Sequence, residues 1–312
     1  MKPSVIDFFK SKDIIIQKPL GTGGFGSVSL VYSLQYKTTF ALKQIPKDLF
    51  NNTERELMST VDDYSIVRLY NTYTFEDCIY LLLEYCPSTL DSHIMNTNLS
   101  DYELRKLIYN TICCVRACHQ RKIAHCDIKP TNFLIDQYGR IKISDFGISC
   151  YNQHRTICHK GTKFFMAPEI FVSQTFNPFQ SDIWALGVTL YFMATKSLPF
   201  YSQNTHHLIT LITNVMYDEK LVKDPLLRQV IAKCLVAAPY QRATVDEILE
   251  MPYFNAKINS SPSKPIMKPS GLYVRPKFNR HSAKFGCHLS WNPEQFAMKG
   301  SSSTKDLSNS SI

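Results

Sequence analysis

Along the first quarter of the chain, short runs of β-branched and aromatic residues alternate with glycine and polar breaks. Ile14, Ile15 and Ile16 open the series, and residues 27–31, 39–44, 66–73 and 79–84 continue it, which is the pattern of strands. Between them Asn51, Asn52 and Thr53 can begin a helix on which Leu57, Met58 and Val61 share one face. From about residue 90 the apolar spacing becomes helical. Ser100 and Glu103 stand ahead of Leu104, Leu107 and Ile108 at the spacing of a capping box, in which each side chain reaches the other residue's backbone N–H. Gln137, Tyr138 and Gly139 read as a turn, and residues 140–143 alternate as a short strand. A β-rich lobe therefore precedes a helical one in an α+β arrangement, with a cleft expected between them. The longest apolar run, residues 184–194, contains Thr189 and Tyr191 and is shorter than the ~18–20 residues a membrane span needs.

Periodicity stops near residue 255. Beyond it Ser, Pro, Lys and Asn dominate, as at 260–265 and 301–303, and a mostly disordered tail is expected over 255–312. Tyr273, Phe278, Phe285, Trp291 and Phe296 interrupt this polarity and leave docking of the tail on the body open. The body itself is ordinary: 44% hydrophobic and 20% charged residues in 312 exclude wholesale disorder and allow one large domain or two small ones. Net charge is +9, but the tail carries nine Lys or Arg against Glu294 and Asp306, so the other 254 residues are only two above neutrality. A domain that binds nucleic acid needs a basic face of its own, so none is expected to bind here; the tail is the part suited to acidic partners. The N-terminus lacks the apolar core of a secretory signal, and Asp7 and Asp13 argue against mitochondrial import. The expected location is the cytoplasm, with the nucleus open. The ten cysteines include no pair at CxxC spacing, which suits reduced thiols serving as small apolar packing groups.

Residues 21–28, Gly-Thr-Gly-Gly-Phe-Gly-Ser-Val, lie between two expected strands. Glycines let backbone amides approach phosphate oxygens without obstruction. A dinucleotide-binding unit would run from this loop into a helix; here the chain continues as strand from Val28. Lys43 follows fifteen residues after Val28 in an apolar strand, placed to meet the α- and β-phosphates of a nucleotide. A carboxylate on the next helix could orient it; Glu54 shares a face with Leu57, Met58 and Val61, and Glu56 is the alternative. Further on come His125-Cys126-Asp127-Ile128-Lys129-Pro130-Thr131-Asn132, then Asp145-Phe146-Gly147, Ala167-Pro168-Glu169, and Asp182 through Gly187.

Taken together these motifs resemble the catalytic domain of eukaryotic protein kinases, over about residues 14–254. The resemblance implies a two-lobed fold: an N-lobe at 14–83, a hinge at 84–89 and a C-lobe at 90–254. It implies ATP as phosphoryl donor, Mg²⁺ as cofactor and a protein substrate. Asp127 would take the proton of the acceptor hydroxyl, Lys129 would add positive charge at the transferred group, and Thr162 would contact both. Asp145 and Asn132 would hold Mg²⁺ through oxygen. Leu20, Gly21, Gly23, Gly24, Phe25, Gly26, Val28, Ala41, Lys43, Leu83, Glu84, Cys86 and Leu134 would line the nucleotide site. Met58, Leu69, His125 and Phe146 would stack between the lobes, Glu169 would pair with Arg242, and Asp182 would hold the backbone of the Asp127 loop. Lys129 two residues past Asp127 is the serine/threonine pattern. The retained set Lys43, Glu54, Asp127, Asn132 and Asp145 favours phosphoryl transfer over a binding module of the same fold. Residues 161–169, which resemble a peptide-docking segment, favour a protein substrate over a metabolite.

Cys126 departs from that pattern, replacing an arginine that in relatives pairs with a phosphate on the segment after Asp145, a bond a thiol cannot make. Little dependence on phosphorylation of Ser149, Tyr151, Thr156 or Thr162 is therefore expected. Thr131 and Phe192 stand where basic-directed relatives carry carboxylates, so no upstream arginine should be required in the substrate.

Overall fold

A computed structural model describes residues 2–23, 26–50, 63–151, 155–156, 162–173 and 175–255. Two lobes are present, as expected. The first is built on a five-stranded antiparallel sheet of β1 (Ile14–Gly23), β2 (Gly26–Ser33), β3 (Thr38–Pro46), β4 (Leu69–Phe75) and β5 (Cys78–Glu84), in the order β1-β2-β3-β5-β4. Pro19, which has no N–H to donate, lies in the edge strand β1, and the pairing of β1 with β2 is irregular on either side of it. The strand expected over 66–73 begins later, at Leu69. The segment before it is taken by the other lobe: the Val67 N–H donates to the Ile143 carbonyl at 2.9 Å, and Ile143 N–H to the Ser65 carbonyl at 2.8 Å.

A helix that the strand reading passed over, α1 (Pro3–Lys10), covers one face of this sheet. Proline at its first position is preorganised for a helix, and Val5 and Phe9 fall on one face. Phe9 is wholly buried against Tyr80, 5.0 Å between rings, in a cluster with Ile14, Val31, Phe40 and Leu42.

The second lobe is helical around one large core. Its described elements are β6 (Ser88–Thr89), α2 (Leu90–Asn96), α3 (Asp101–Gln120), β7 (Phe133–Ile135), β8 (Ile141–Ile143), β9 (Arg155–Thr156), α4 (Glu169–Val172), β10 (Thr175–Phe176), α5 (Pro178–Thr195), α6 (Thr205–Thr213), α7 (Pro225–Cys234), α8 (Val245–Leu249) and α9 (Pro252–Asn255). The capping box opens α3 as expected: the Ser100 N–H donates to Glu103 at 2.9 Å, and the Glu103 N–H to Ser100 Oγ at 3.3 Å. Helix α5 contains the long apolar run and is buried on every side, as a helix apolar all round must be. Gly187 lets α7 approach it: a Cβ there would lie 2.6 Å from Cys234 Cβ. Among the described residues no helix is long and apolar enough to cross a membrane.

Phe192, at one of the positions where basic-directed relatives carry carboxylates, is wholly buried within α5, because that helix has no solvent face at this position. Ser149 is likewise buried, its hydroxyl donating to the His125 carbonyl at 3.0 Å, which removes it from the phosphorylation candidates. The helix expected after Asn51, with Glu54, Glu56 and Met58, and the tail beyond Asn255 lie outside the described residues.

Candidate active site

The loop from His125 to Asn132 is fixed from below by one carboxylate. Asp182, near the start of α5 and 1% exposed, accepts the His125 N–H at 2.7 Å on Oδ2 and the Cys126 N–H at 2.8 Å on Oδ1. His119 of α3 reaches the same Oδ2 at 3.0 Å. Cys126 sits at φ 65°, a left-handed conformation that a residue with a Cβ adopts only when its surroundings hold it there. His125 is buried and its titration is pushed down by desolvation, so it is neutral. Its bonds assign the tautomer: Nε2 lies 2.9 Å from the Ser144 carbonyl and donates, while Nδ1 accepts the Asp127 N–H at 3.3 Å. Its ring meets Phe146 edge-on at 4.9 Å, and Leu69 packs against the same core.

Asp127, Lys129, Asn132 and Thr162 converge. Lys129 Nζ lies 2.7 Å from Asp127 Oδ2 and donates to Thr162 Oγ1 at 3.1 Å. The Asn132 amide nitrogen donates to the Asp127 carbonyl at 2.8 Å and to Oδ2 at 3.0 Å. Both Asn132 amide hydrogens are used within the loop, so its Oδ1 is the atom left to act as a ligand. Across the cleft, Lys43 Nζ of β3 lies 3.1 Å from Asp145 Oδ1, two residues 102 apart in sequence. Asp145 also takes a left-handed backbone, φ 66°, which turns the chain directly after β8.

The nucleotide-site candidates lie on both lobes. In register, Gly21 faces Val28 and Gly23 faces Gly26 across the β1–β2 hairpin, while Ala41 faces Leu83 between β3 and β5. Gly24 and Phe25 lie outside the described residues. Gly26 has a packing reason to be glycine: a Cβ there would stand 2.0 Å from the Gln44 carbonyl oxygen. Leu20 is exposed, Val28, Leu83, Glu84, Cys86 and Leu134 are half-buried, and Ala41 is at the edge of burial. Desolvation pushes the Cys86 thiol up to about 12, so it is a neutral wall of the cleft.

Lys142 is a residue the sequence reading missed. It is buried in the short strand after the turn at Gly139, with Nζ 3.1 Å from Glu84 Oε2 and 2.9 Å from the Tyr64 carbonyl. It ties β5's last residue to the second lobe. The partner that buries it is 58 residues away, so no local signal could have found it. Farther from the cleft, Arg242 grips Glu169 through two bonds of 2.7 and 2.6 Å, the pairing the resemblance implied.

The arrangement offers two carboxylates, one amide oxygen and two ammonium groups around one crevice. No group of three or more His, Cys, Asp or Glu able to hold a metal by itself occurs among the described residues. Asp145 and Asn132 are hard oxygen donors but too few for a self-sufficient cage. That suits a Mg²⁺ ion whose remaining ligands are phosphate oxygens and water.

Comparison with known proteins agrees with this chemistry. A family model described as a protein kinase domain matches residues 14–254. The chain is 30% identical over 280 residues to the carbon catabolite-derepressing protein kinase of Candida glabrata, covering 86% of this chain and 45% of that protein. It is 30% identical over 273 residues to the SNF1-like protein kinase ssp2 of Schizosaccharomyces pombe, covering 83% and 47%. It is also 30% identical over 253 residues to the inactive serine/threonine-protein kinase PLK5 of Mus musculus, covering 76% and 42%. The chain thus spans less than half the length of these relatives.

Proposed function

The chain belongs to the protein kinase family, and from that premise we propose that it is an active serine/threonine kinase that moves the γ-phosphoryl group of ATP to Ser or Thr hydroxyls of proteins. The observation that carries this is the Asp127–Lys129–Thr162–Asn132 cluster beside Asp145, whose neighbour Ser144 bonds the Asn132 carbonyl, and Asp145's pairing with Lys43 of the other lobe. One relative of equal identity is named inactive, so likeness alone does not separate transfer from binding; the retained side chains do.

Phosphoryl transfer needs positioned reactants and positive charge on the transferred group more than it needs covalent chemistry. Asp127 takes the acceptor proton as the hydroxyl attacks, with Asn132 and Lys129 fixing the direction of its carboxylate. Lys129 Nζ, already on Thr162 Oγ1, brings positive charge to the point where the acceptor segment meets the loop. Lys43 pairs with the nontransferred phosphates, and Glu54, or Glu56 as runner-up, orients it. Asp145 and Asn132 hold Mg²⁺, which when bound neutralises phosphate charge. The adenine ring lies among Leu20, Val28, Ala41, Leu83 and Leu134, beside the backbone at Glu84 and Cys86, with Gly21, Gly23, Gly24, Phe25 and Gly26 over the phosphates. The kinase unit occupies 14–254 with a hinge at 84–89; the basic charge of residues 255–312 suits acidic partners, no nucleic acid is a ligand, and the enzyme works in the cytoplasm or nucleus.

A peptide library incubated with the purified chain, ATP and Mg²⁺ tests the reading. Phosphoserine and phosphothreonine should form without an upstream arginine requirement. Asp127→Asn should lower kcat by about 10²–10⁴ while leaving ATP binding intact, the size expected when a positioned base is removed. Nucleotide binding by the wild type without transfer to any peptide would leave only a binding module.

A further inference from the structure

Two cysteines meet where the Asp127 loop passes the segment that follows Asp145. The Sγ atoms of Cys126 and Cys150 are 3.8 Å apart. The backbone of Cys150 is bridged to Ala124, two residues before Cys126: the Ala124 N–H donates to the Cys150 carbonyl at 2.9 Å, and the Cys150 N–H to the Ala124 carbonyl at 3.0 Å. Cys126 is pinned besides by Asp182 in its left-handed conformation. The sulfurs need to approach by about 1.8 Å, from 3.8 Å to the ~2.0 Å of a bond. Both residues are half-buried, whereas Cys114, Cys118 and Cys234 are buried and desolvation raises their titration.

We propose that Cys126 and Cys150 are a redox modification site: oxidation by a peroxide joins them in a reversible disulfide that ties the segment after Asp145 to the loop carrying Asp127. The thiolate of one cysteine attacks a peroxide oxygen, and the O–O bond breaks to give a sulfenic acid and one water (an alcohol from an organic peroxide). The second thiol attacks that sulfur, the S–O bond breaks, and a second water leaves with the thiol's proton. Two thiols are thus oxidised by one peroxide, and a dithiol reductant restores both. The closed loop spans residues 126–150 and so encloses Asp127, Lys129, Asn132 and Asp145. Because the link forms across a bridge already made, it holds the arrangement of those four residues instead of displacing them. That consequence for catalysis rests on the kinase reading; the bond itself does not.

The test treats the folded full-length chain with hydrogen peroxide, blocks remaining thiols and maps tryptic peptides. Cys126 and Cys150 fall on separate peptides, 123–140 and 143–155, each with a single cysteine. A linked 123–140/143–155 species should dominate over all other pairings, vanish in dithiothreitol and fail to form in Cys126→Ala and Cys150→Ala. Amide exchange over residues 144–151 should slow at least tenfold in the linked protein, and any phosphotransfer activity should survive linkage within about threefold. Absence of that species, its formation only after unfolding, unchanged exchange, or loss of activity reversed by reductant would each overturn the proposal. A reduced protein that transfers no phosphate defeats the kinase reading instead, and leaves the peptide and exchange readouts able to decide the disulfide.

Discussion

Replacing Asp182 by asparagine removes one charge and almost no volume, which makes it a clean probe of what orders the Asp127 loop. The carboxylate accepts three contacts, from the His125 N–H at 2.7 Å, the Cys126 N–H at 2.8 Å and His119 Nε2 at 3.0 Å. An amide offers one oxygen where two were needed. If that oxygen stays with His125 and His119, the NH₂ group faces the Cys126 N–H, donor against donor; the flipped amide orphans the other two. A buried donor left unsatisfied costs about 1–3 kcal/mol, and each surviving bond weakens from charge-assisted to neutral, roughly 1 kcal/mol more. The sum is roughly 3–5 kcal/mol. For a body of this size, 1 kcal/mol moves Tm by about 2–4 °C, so a fall on the order of 10 °C is expected by calorimetry. The loss should not be confined to stability. Cys126 at φ 65° is held partly by the bond it forfeits, and Asp127 is the next residue. On the proposed reading, peptide phosphorylation should therefore drop more than ATP affinity, since most of the nucleotide-site candidates lie on other segments. An Asp182→Asn variant within about 1 kcal/mol of wild type, with unchanged kcat, would refute the claim that this carboxylate orders the loop.

Two further outcomes follow from particular contacts. Gly187→Ala puts a methyl 2.6 Å from Cys234 Cβ and 2.9 Å from Leu235 Cδ2, so overpacking of about 1–3 kcal/mol should outweigh the ~1 kcal/mol gained in helix propensity, and denaturant melts should show a net loss. His125 is held neutral by burial, its titration below that of the unfolded chain. The unfolded state then binds the extra proton first, so this residue's stabilisation is complete above pH ~6.5 and declines as pH falls through that value toward the folded pKa. The slope contribution approaches about 1.4 kcal/mol per pH unit; stability curves between pH 7 and 5 that are equally steep in His125→Phe would contradict this.

What could be read from the sequence was whatever is encoded locally. The capping box of α3, the β-run before the glycine loop and the spacing of Asp127, Asn132 and Asp145 are local patterns, and each has its counterpart in the structure. The failures share one cause. Nothing near Lys142 in the chain marks it as special, because Glu84 and Tyr64, which hold its ammonium group, lie in distant segments. Ser149 was a phosphorylation candidate and Phe192 stood at a position carboxylates occupy in relatives; the contacts that bury them come from His125 and from the core around α5. Helix α1 is the exception, since Pro3 with Val5 and Phe9 was a local signal; its brevity hid it. The meeting of Cys126 with Cys150 belongs to the long-range class, because the bridge at Ala124 depends on how the chain returns after β8.

The site's charges explain how such a crevice folds before any substrate arrives. Four buried or nearly buried ionic groups occupy it, and the structure opposes them in two pairs, Lys43 with Asp145 and Lys129 with Asp127. An unpaired charge at that depth would cost several kcal/mol, whereas a pair with additional hydrogen bonds roughly offsets its own desolvation. Thr162 and Asn132 supply those extra bonds on one side. On the proposed reading, a metal-bound triphosphate enters by exchanging partners: Lys43 trades a carboxylate for phosphate, and Asp145 trades an ammonium for the divalent ion. Charge stays balanced at each step, so little of the binding energy is lost to creating naked ions. The same pairing makes Lys43 and Asp145 interdependent even though they lie on different lobes. Removal of either takes from the other its partner across the lobes, and the lobes lose a tie between them.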